Sequence, residues 1–328
     1  MRNFYLDIYP KAAQKLDLHY QEIRYEKHLL GRITNPVSGY TVRLIGSILD
    51  LNSAVSHLLA NDKYLTGKLL KENVEAYPDS ILLDSQNEHR LKLARQFAED
   101  RNYEVVVKPV DGNKGRGVRV LPKGYEYLKE AIIDATQIDN NKSALVEEFI
   151  PGDDYRVSSI DGEIIGLVKR IPAFVTGDGE KTISQLIEEK NALRQIYCFA
   201  EIKKNRALQF LSVSSKQNLS TVLKRGERQQ LEQLCNLSLG GEVIHVDIKK
   251  LHKDYHSLIK EIADIFQLRL FTVDFRSTDL SKYPRMPHAG INEINFNISP
   301  DVFFYADLES KIPYSSAKYL LKKVFSLK

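Results

Sequence analysis
The hydrophobic pattern changes period along this chain, and those changes divide it. Residues 12–18 read as the end of a helix running into a strand over 19–25, followed by a turn at Gly31-Arg32 and a strand or loop over 40–46. Residues 53–60 return to helical spacing, and Asn61-Asp62 caps a further helix carrying Leu65, Leu69 and Leu70. Another helix is expected over 85–101, with Leu91, Leu93, Ala94 and Phe97 on its apolar face. A β-branched run, Val105-Val106-Val107, then predicts a buried strand, and residues 118–121 read as its returning partner. A helix over 125–136 and a strand over 144–150 follow.

From Pro151 the pattern turns to strands over 155–160 and 163–170, joined by Asp161-Gly162, a dipeptide that favours tight hairpins. A helix over 182–193 leads into the polar stretch 196–235, which predicts a long irregular connection of the kind used as a lid or binding loop. A helix over 252–266, strands over 270–275 and 291–295, and an amphipathic helix over 315–325 close the chain. We divide it into a small N-terminal lobe (1–60), a lobe carrying the glycine-rich loop (61–150) and a C-terminal lobe (151–328).

Composition narrows the class. The chain has 328 residues, 43% hydrophobic and 27% charged, as expected of a soluble globular protein. It has no run long enough for a membrane span and no signal-peptide core at its start, so a membrane is not an expected partner. The two cysteines, Cys198 and Cys235, make neither a disulfide framework nor a zinc pattern, and a reducing cytoplasm is the expected location. A net charge of +4 suits anionic ligands but is too diffuse to argue for nucleic acid.

The candidate chemistry starts after the Val105 strand. Lys108-Pro109 leads into a loop with Gly112, Gly115 and Gly117 interleaved with Lys114 and Arg116. Glycines let backbone N–H groups approach a ligand, and the flanking cations point to a polyphosphate. No Gly-Lys-Ser/Thr ending makes it a Walker loop, and Lys-Pro between strand and glycines breaks the Rossmann pattern. Downstream, Glu147-Glu148-Phe149-Ile150 ends a strand with groups able to read an adenine edge, and acids suited to ribose hydroxyls. Asp274 on one strand faces Glu293 and Asn295 on the next, an oxygen set suited to Mg²⁺. Arg156, Lys169 and Arg170, with the Asn236–Gly241 loop, supply the convergent donors that a transferring phosphoryl group needs.

In this order the segments resemble the ATP-grasp ligase superfamily, over about residues 40–300. The nearest likeness is to the ATP-grasp module of cyanophycin synthetase and the glutathione-synthetase-like module of bifunctional glutathione-forming enzymes. That resemblance implies an α+β fold in which two lobes grip ATP between antiparallel sheets. It implies that Lys63 and Lys108 contact phosphates, that the loop with Asp111, Gly112, Gly115, Arg116 and Gly117 closes over them, and that Glu147, Glu148, Phe149 and Ile150 surround adenine. Asp154 would take the ribose; Asp274, Glu293 and Asn295 would hold one or two Mg²⁺, with Mn²⁺ an admissible substitute. Arg170 and Asn236, with Arg156 beside them, would face an acyl phosphate. The implied reaction joins a carboxylate to an amine on amino acids or short peptides, with a homodimer admissible and without nucleic acid. The chain lacks the Mur-ligase-like half of cyanophycin synthetase, so the branched polymer is not its expected product. An ATP-grasp phosphotransferase and a non-catalytic nucleotide-binding regulator are the alternatives. Retention of Arg170, Asp274, Glu293 and Asn295 together speaks against the second.

Overall fold
Alternating strands with helices between them fold here into stacked antiparallel sheets. The computed structural model describes residues 5–26, 28–46, 48–84, 89–111, 115–120, 124–140, 142–196, 199–215, 217–296 and 315–327. Gly112, Asn113, Lys114 and Cys198 lie outside these, as do residues 297–314. Among the described residues no helix is long and apolar enough to cross a membrane.

The N-terminal part is helix α1 (Tyr5–Gln14) and a four-stranded meander, β1 (His19–Tyr25), β2 (His28–Thr34), β3 (Thr41–Ile45) and β4 (Ile48–Leu49). Gly31-Arg32, expected as a turn, sits inside β2, where it pairs with Leu44 and Arg43. Glycine was a poor guide there because the position is a close approach: a Cβ on Gly31 would meet Leu44 at 2.7 Å.

Helices α2 (Ala54–Asn61) and α3 (Lys63–Lys71) follow, and Asp62 caps α3 by accepting from the Tyr64 and Leu65 N–H groups at 2.9 Å. The small sheet then assembles from β5 (Ser80–Asp84), β6 (Val105–Pro109), β7 (Arg119–Val120) and β8 (Ser143–Glu148) in the order β5-β8-β6-β7. Helices α4 (Arg90–Glu99) and α5 (Tyr125–Ile138) cover one face, burying Ala94, Ala98, Leu128 and Ile132 against Val105 and Val107.

The large sheet contains β9 (Asp153–Ile160), β10 (Glu163–Ile171), β13 (Glu242–His245), β14 (Leu270–Ser277) and β15 (Ala289–Asn295), ordered β13-β10-β9-β14-β15. Asp161 and Gly162 both take positive φ (50° and 78°), as a tight hairpin between twisted strands requires. Helix α8 (Asp254–Phe266) packs beneath the sheet through Tyr255, Ile259, Ile262, Ala263 and Phe266, one stripe of an amphipathic helix. Ala60, Leu70, Val74 and Tyr77 join that same core, so α2 and α3 pack with the large sheet. Helix α9 (Ser315–Val324) packs on the N-terminal part, its Ala317, Leu320 and Leu321 meeting Tyr9, Ala12 and Ala13.

The stretch expected to be an irregular connection is not one. Between α6 (Ile183–Ile196) and residue 235 lie α7 (Lys204–Ser214) and β12 (Arg228–Gln230), which pairs with β11 (Phe174–Thr176). Ile187, Ile202, Ala207, Leu211, Leu223 and Leu231 form a core of their own. The apolar residues are few and far apart in sequence, so the pattern hid a small subdomain.

Candidate active site
The small and large sheets face each other across a cavity of about 260 Å³. The link between them, residues 149–152, turns at Gly152 (φ 98°), where a Cβ would lie 2.3 Å from the Ser277 backbone. Only glycine permits that approach. Arg276 clamps the link: its Nε donates to the Ile150 carbonyl at 2.8 Å, its Nη2 donates to the Gly152 carbonyl, and its guanidinium lies over the Phe149 ring.

The large-sheet wall is built from cross-strand neighbours. Asp154 and Arg170 are register partners, as are Arg156 and Asp274, and Asp274 and Glu293. Arg156 grips Asp274 with both Nε (2.6 Å) and Nη2 (2.8 Å). Arg170 bridges two acids, Asp154 at 2.5 Å and Asp274 at 2.8 Å. Burial alone would raise the Asp274 carboxyl, but the guanidiniums of Arg156 and Arg170 hold it below the ordinary carboxylate value. Arg170 is likewise held charged against its burial by Asp154 and Asp274.

The small-sheet wall carries Lys108, whose Nζ meets Glu147 at 2.5 Å and donates to the Asn292 carbonyl at 3.3 Å. Lys63, from the start of α3, reaches Glu293 at 3.3 Å and the Val110 carbonyl at 3.5 Å. The Tyr77 hydroxyl donates to Glu147 at 3.5 Å; burial first, and then that acid, push its pKa well up. At the strand end expected to read an adenine edge, the Glu148 N–H donates to the Asp79 carbonyl at 2.9 Å, whereas no described residue accepts from the Ile150 N–H.

The structure thus gathers Lys63, Lys108, Gly115, Glu147, Glu148, Phe149, Ile150, Asp154, Arg170, Asn236, Asp274 and Glu293 around one cavity. Arg156 stands behind Asp274, and Asn295 follows Glu293 on the same face of β15. Gly117 lies on the stem of the loop, packed near Pro109 and Ile138, while Arg116 points to solvent. Asp111 is turned aside: its N–H donates to Asp139 at 2.8 Å and its carboxylate accepts from the Asn140 amide at 3.4 Å. The loop meets the opposite segment at Gly115, where a Cβ would fall 2.7 Å from Leu234 and 3.2 Å from the Asn236 Oδ1.

Arg276, Gln233, Leu234, Cys235 and Asn292 also line the cavity and were not expected. Arg276 is two residues from Asp274 on β14, so strand alternation alone could have found it. Asn292 could not be found that way. The β14–β15 register shifts between Asp274/Glu293 and Phe275/Ile291, so Asn292 is the extra residue of a bulge. Cys235 is no nucleophile here: burial, with Asp154 nearby, pushes its thiol up to about 12.

Two lobes closing antiparallel sheets on a cleft lined by lysines and carboxylates define the ATP-grasp architecture, and the chain belongs to the ATP-grasp superfamily. The more particular match is to the prokaryotic glutathione synthetase ATP-grasp domain, over residues 71–196. The chain is 32% identical over 199 residues to cyanophycin synthetase from Synechocystis sp., covering 59% of this chain and 23% of that protein. It is 29% identical over 263 residues to the glutathione biosynthesis bifunctional protein GshAB of Clostridium perfringens, covering 75% of this chain and 32% of that one. The chain therefore spans less than a third of either relative. A bifunctional glutathione synthetase from Pasteurella multocida superposes with a TM-score of 0.62 at 21% identity, covering 96% of this chain and 44% of its own, which bears on the fold alone.

Proposed function
We propose that this chain is an ATP- and Mg²⁺-dependent ligase that joins the carboxylate of one amino acid or short peptide to the amine of another. The observation that carries this reading is the convergence of Lys63 and Lys108 with Glu293 and Asp274 in one cavity beside the Ile150 N–H, from which no described residue accepts. Lysine ammonium groups are mobile point charges suited to phosphate. The Ile150 N–H and the apolar Phe149, Val106 and Val120 suit a flat base at the other end.

The oxygen donors fit Mg²⁺ held largely by substrate. Among the described residues no cluster of three or more His, Cys, Asp or Glu makes an all-protein cage. Both Asp274 oxygens already accept from guanidiniums, while Glu293 is about a third exposed. Glu293, with Asp274 and the Asn295 amide, would hold the ion, whose bound charge offsets that of the phosphates.

In the proposed reaction the substrate carboxylate attacks the γ-phosphorus of ATP, giving an acyl phosphate and ADP. An amine then attacks the acyl carbon, phosphate leaves, and the nitrogen loses a proton to form the amide. Lys63 and Lys108 neutralise and align the phosphates. Arg170, fixed by two acids, and Asn236, across the cavity, face the place where negative charge develops. The Gly115 loop, meeting Leu234, keeps water from the acyl phosphate. Incubation with Mg·ATP and a panel of amino acids and dipeptides, offered as donors and acceptors, should release ADP and a condensed product detectable by mass. Release of AMP instead sinks this mechanism.

A further inference from the structure
The link between the two lobes passes from one sheet to the other within a single peptide. Up to Phe149 it is tied to the small sheet: the Glu148 N–H donates to the Asp79 carbonyl and the Phe149 N–H to the Glu104 carbonyl, each at 2.9 Å. From Ile150 onward it is tied to the large sheet. The Ile150 and Gly152 carbonyls both accept from Arg276, and Gly152 is packed on the Ser277 backbone. Gly290, the cross-strand partner of Arg276, leaves room for the Ile150 side chain; a Cβ there would fall 2.8 Å from the Ile150 Cδ1. Between the two sets of anchors stands the Ile150 N–H, from which no described residue accepts.

Arg276 touches both sides of that changeover. Its guanidinium lies 5.5 Å from the centre of the Phe149 ring, while Nε and Nη2 take the two carbonyls that follow. A planar fork holds two acceptors in one geometry, which a flexible ammonium does not. Pro151 steers Ile150 away from helical backbone toward an extended one. In extended backbone the N–H and C=O of one residue point to the same side. Fixing the Ile150 carbonyl therefore fixes the direction of the Ile150 N–H beside it. Both residues line the cavity, so an acceptor reaching that N–H from the cavity meets it next to the guanidinium. Arg276 also stands two residues from Asp274 on β14, about 7 Å along the same face of the strand. One strand thus carries the hold on this donor and an acid of the phosphate end, and the sheet sets the distance between them.

We propose that Arg276 is the positioning residue of the nucleotide-base site, holding the Ile150 N–H where a ring nitrogen of the base accepts from it. The inference rests on the ligase reading above for placing a base at this end of the cavity. The test uses the full chain, with calorimetry for affinity and hydrogen exchange at the Ile150 amide. In wild type, saturating Mg·ADP should slow that exchange about tenfold or more, while Mg·tripolyphosphate, which has no base, should leave it unchanged. Arg276→Met should bind Mg·ADP about tenfold more weakly, the scale of one lost hydrogen bond, and at saturation should leave the Ile150 amide unprotected. Arg276→Gln keeps one side-chain N–H for the Ile150 carbonyl and should fall between the two; it carries the test if Arg276→Met does not fold. Wild-type affinity and protection in Arg276→Met, or in Arg276→Gln where it stands in, overturns the proposal. So does weaker binding with Ile150 protection intact, the mark of a merely structural role, or protection of wild type by Mg·tripolyphosphate. A wild type that binds Mg·ADP without protecting Ile150 ends this inference and leaves the ligase reading standing. One that does not bind Mg·ADP removes both.

Discussion
The two walls of the cleft solve the same electrostatic problem differently. On the large sheet, Arg156, Arg170, Asp154 and Asp274 form a closed network of short guanidinium–carboxylate bonds, with Asp274 only 3% exposed at its side chain. On the small sheet, Lys108 pairs with Glu147, and at the margin of the cleft Lys63 of α3 pairs with Glu293. A guanidinium fork fixes geometry, whereas an ammonium on a four-carbon stem changes partners without changing shape. The large-sheet wall is therefore fixed in shape, as the proposed function requires of a scaffold for the reacting atoms. On the proposed function, the lysines exchange carboxylate for phosphate when nucleotide enters.

The largest effect should come from the scaffold. Asp274→Asn leaves Arg156 and Arg170 in the interior with their shared charge removed, and breaking a buried pair of this kind costs on the order of 3 kcal/mol. Urea unfolding should show the loss, and ADP release should vanish with it. If stability is unchanged, the network is not holding the wall.

Glu293→Gln sharpens the contrast. Glu293 is opposite Asp274 in register yet about a third exposed, so its removal should change stability by less than about 1 kcal/mol. Turnover should nonetheless fall by roughly 100-fold or more, as when a group serving the transition state is lost. Equal stability losses in the two variants would erase the distinction between scaffold and working acid.

Next in size is Lys63→Met. A charge-assisted contact to phosphate contributes about 1.5–3 kcal/mol, so ATP affinity should drop roughly 10- to 100-fold, measured by calorimetry, with the melting temperature nearly constant. Unchanged affinity would remove Lys63 from the phosphate site.

How much of this was legible follows from how local each signal is. Lys108-Pro109, Glu147-Glu148, Asp274 and Glu293 sit on single strands whose β-branched neighbours announce them, and the Asp161-Gly162 hairpin is written in two residues. Strand β5 was missed because Ile81-Leu82-Leu83 is short and its partner β8 lies about sixty residues on in sequence. Helix α7 and the β11–β12 pair were missed because Phe174 meets Gln230 across a polar stretch that carries little periodicity. Asn292 needed the bulge. Chemistry was legible where one strand carries it and hidden where several strands compose it.

The smallest expected effect concerns pH. Asp274 titrates below the ordinary carboxylate range once folded, because Arg156 and Arg170 outweigh its burial. Its unfolded value is about 3.9, so as pH falls the unfolded chain takes up the proton first. The stabilisation is therefore fully present above that value and is lost as pH drops through the folded one. Stability measured by urea should hold level from neutrality to about pH 5 on this group's account and decline below about pH 4. Asp274→Asn should show a shallower acid decline than the wild type. If Asp274→Asn keeps the wild-type slope, the large-sheet network is not what couples this fold to protons.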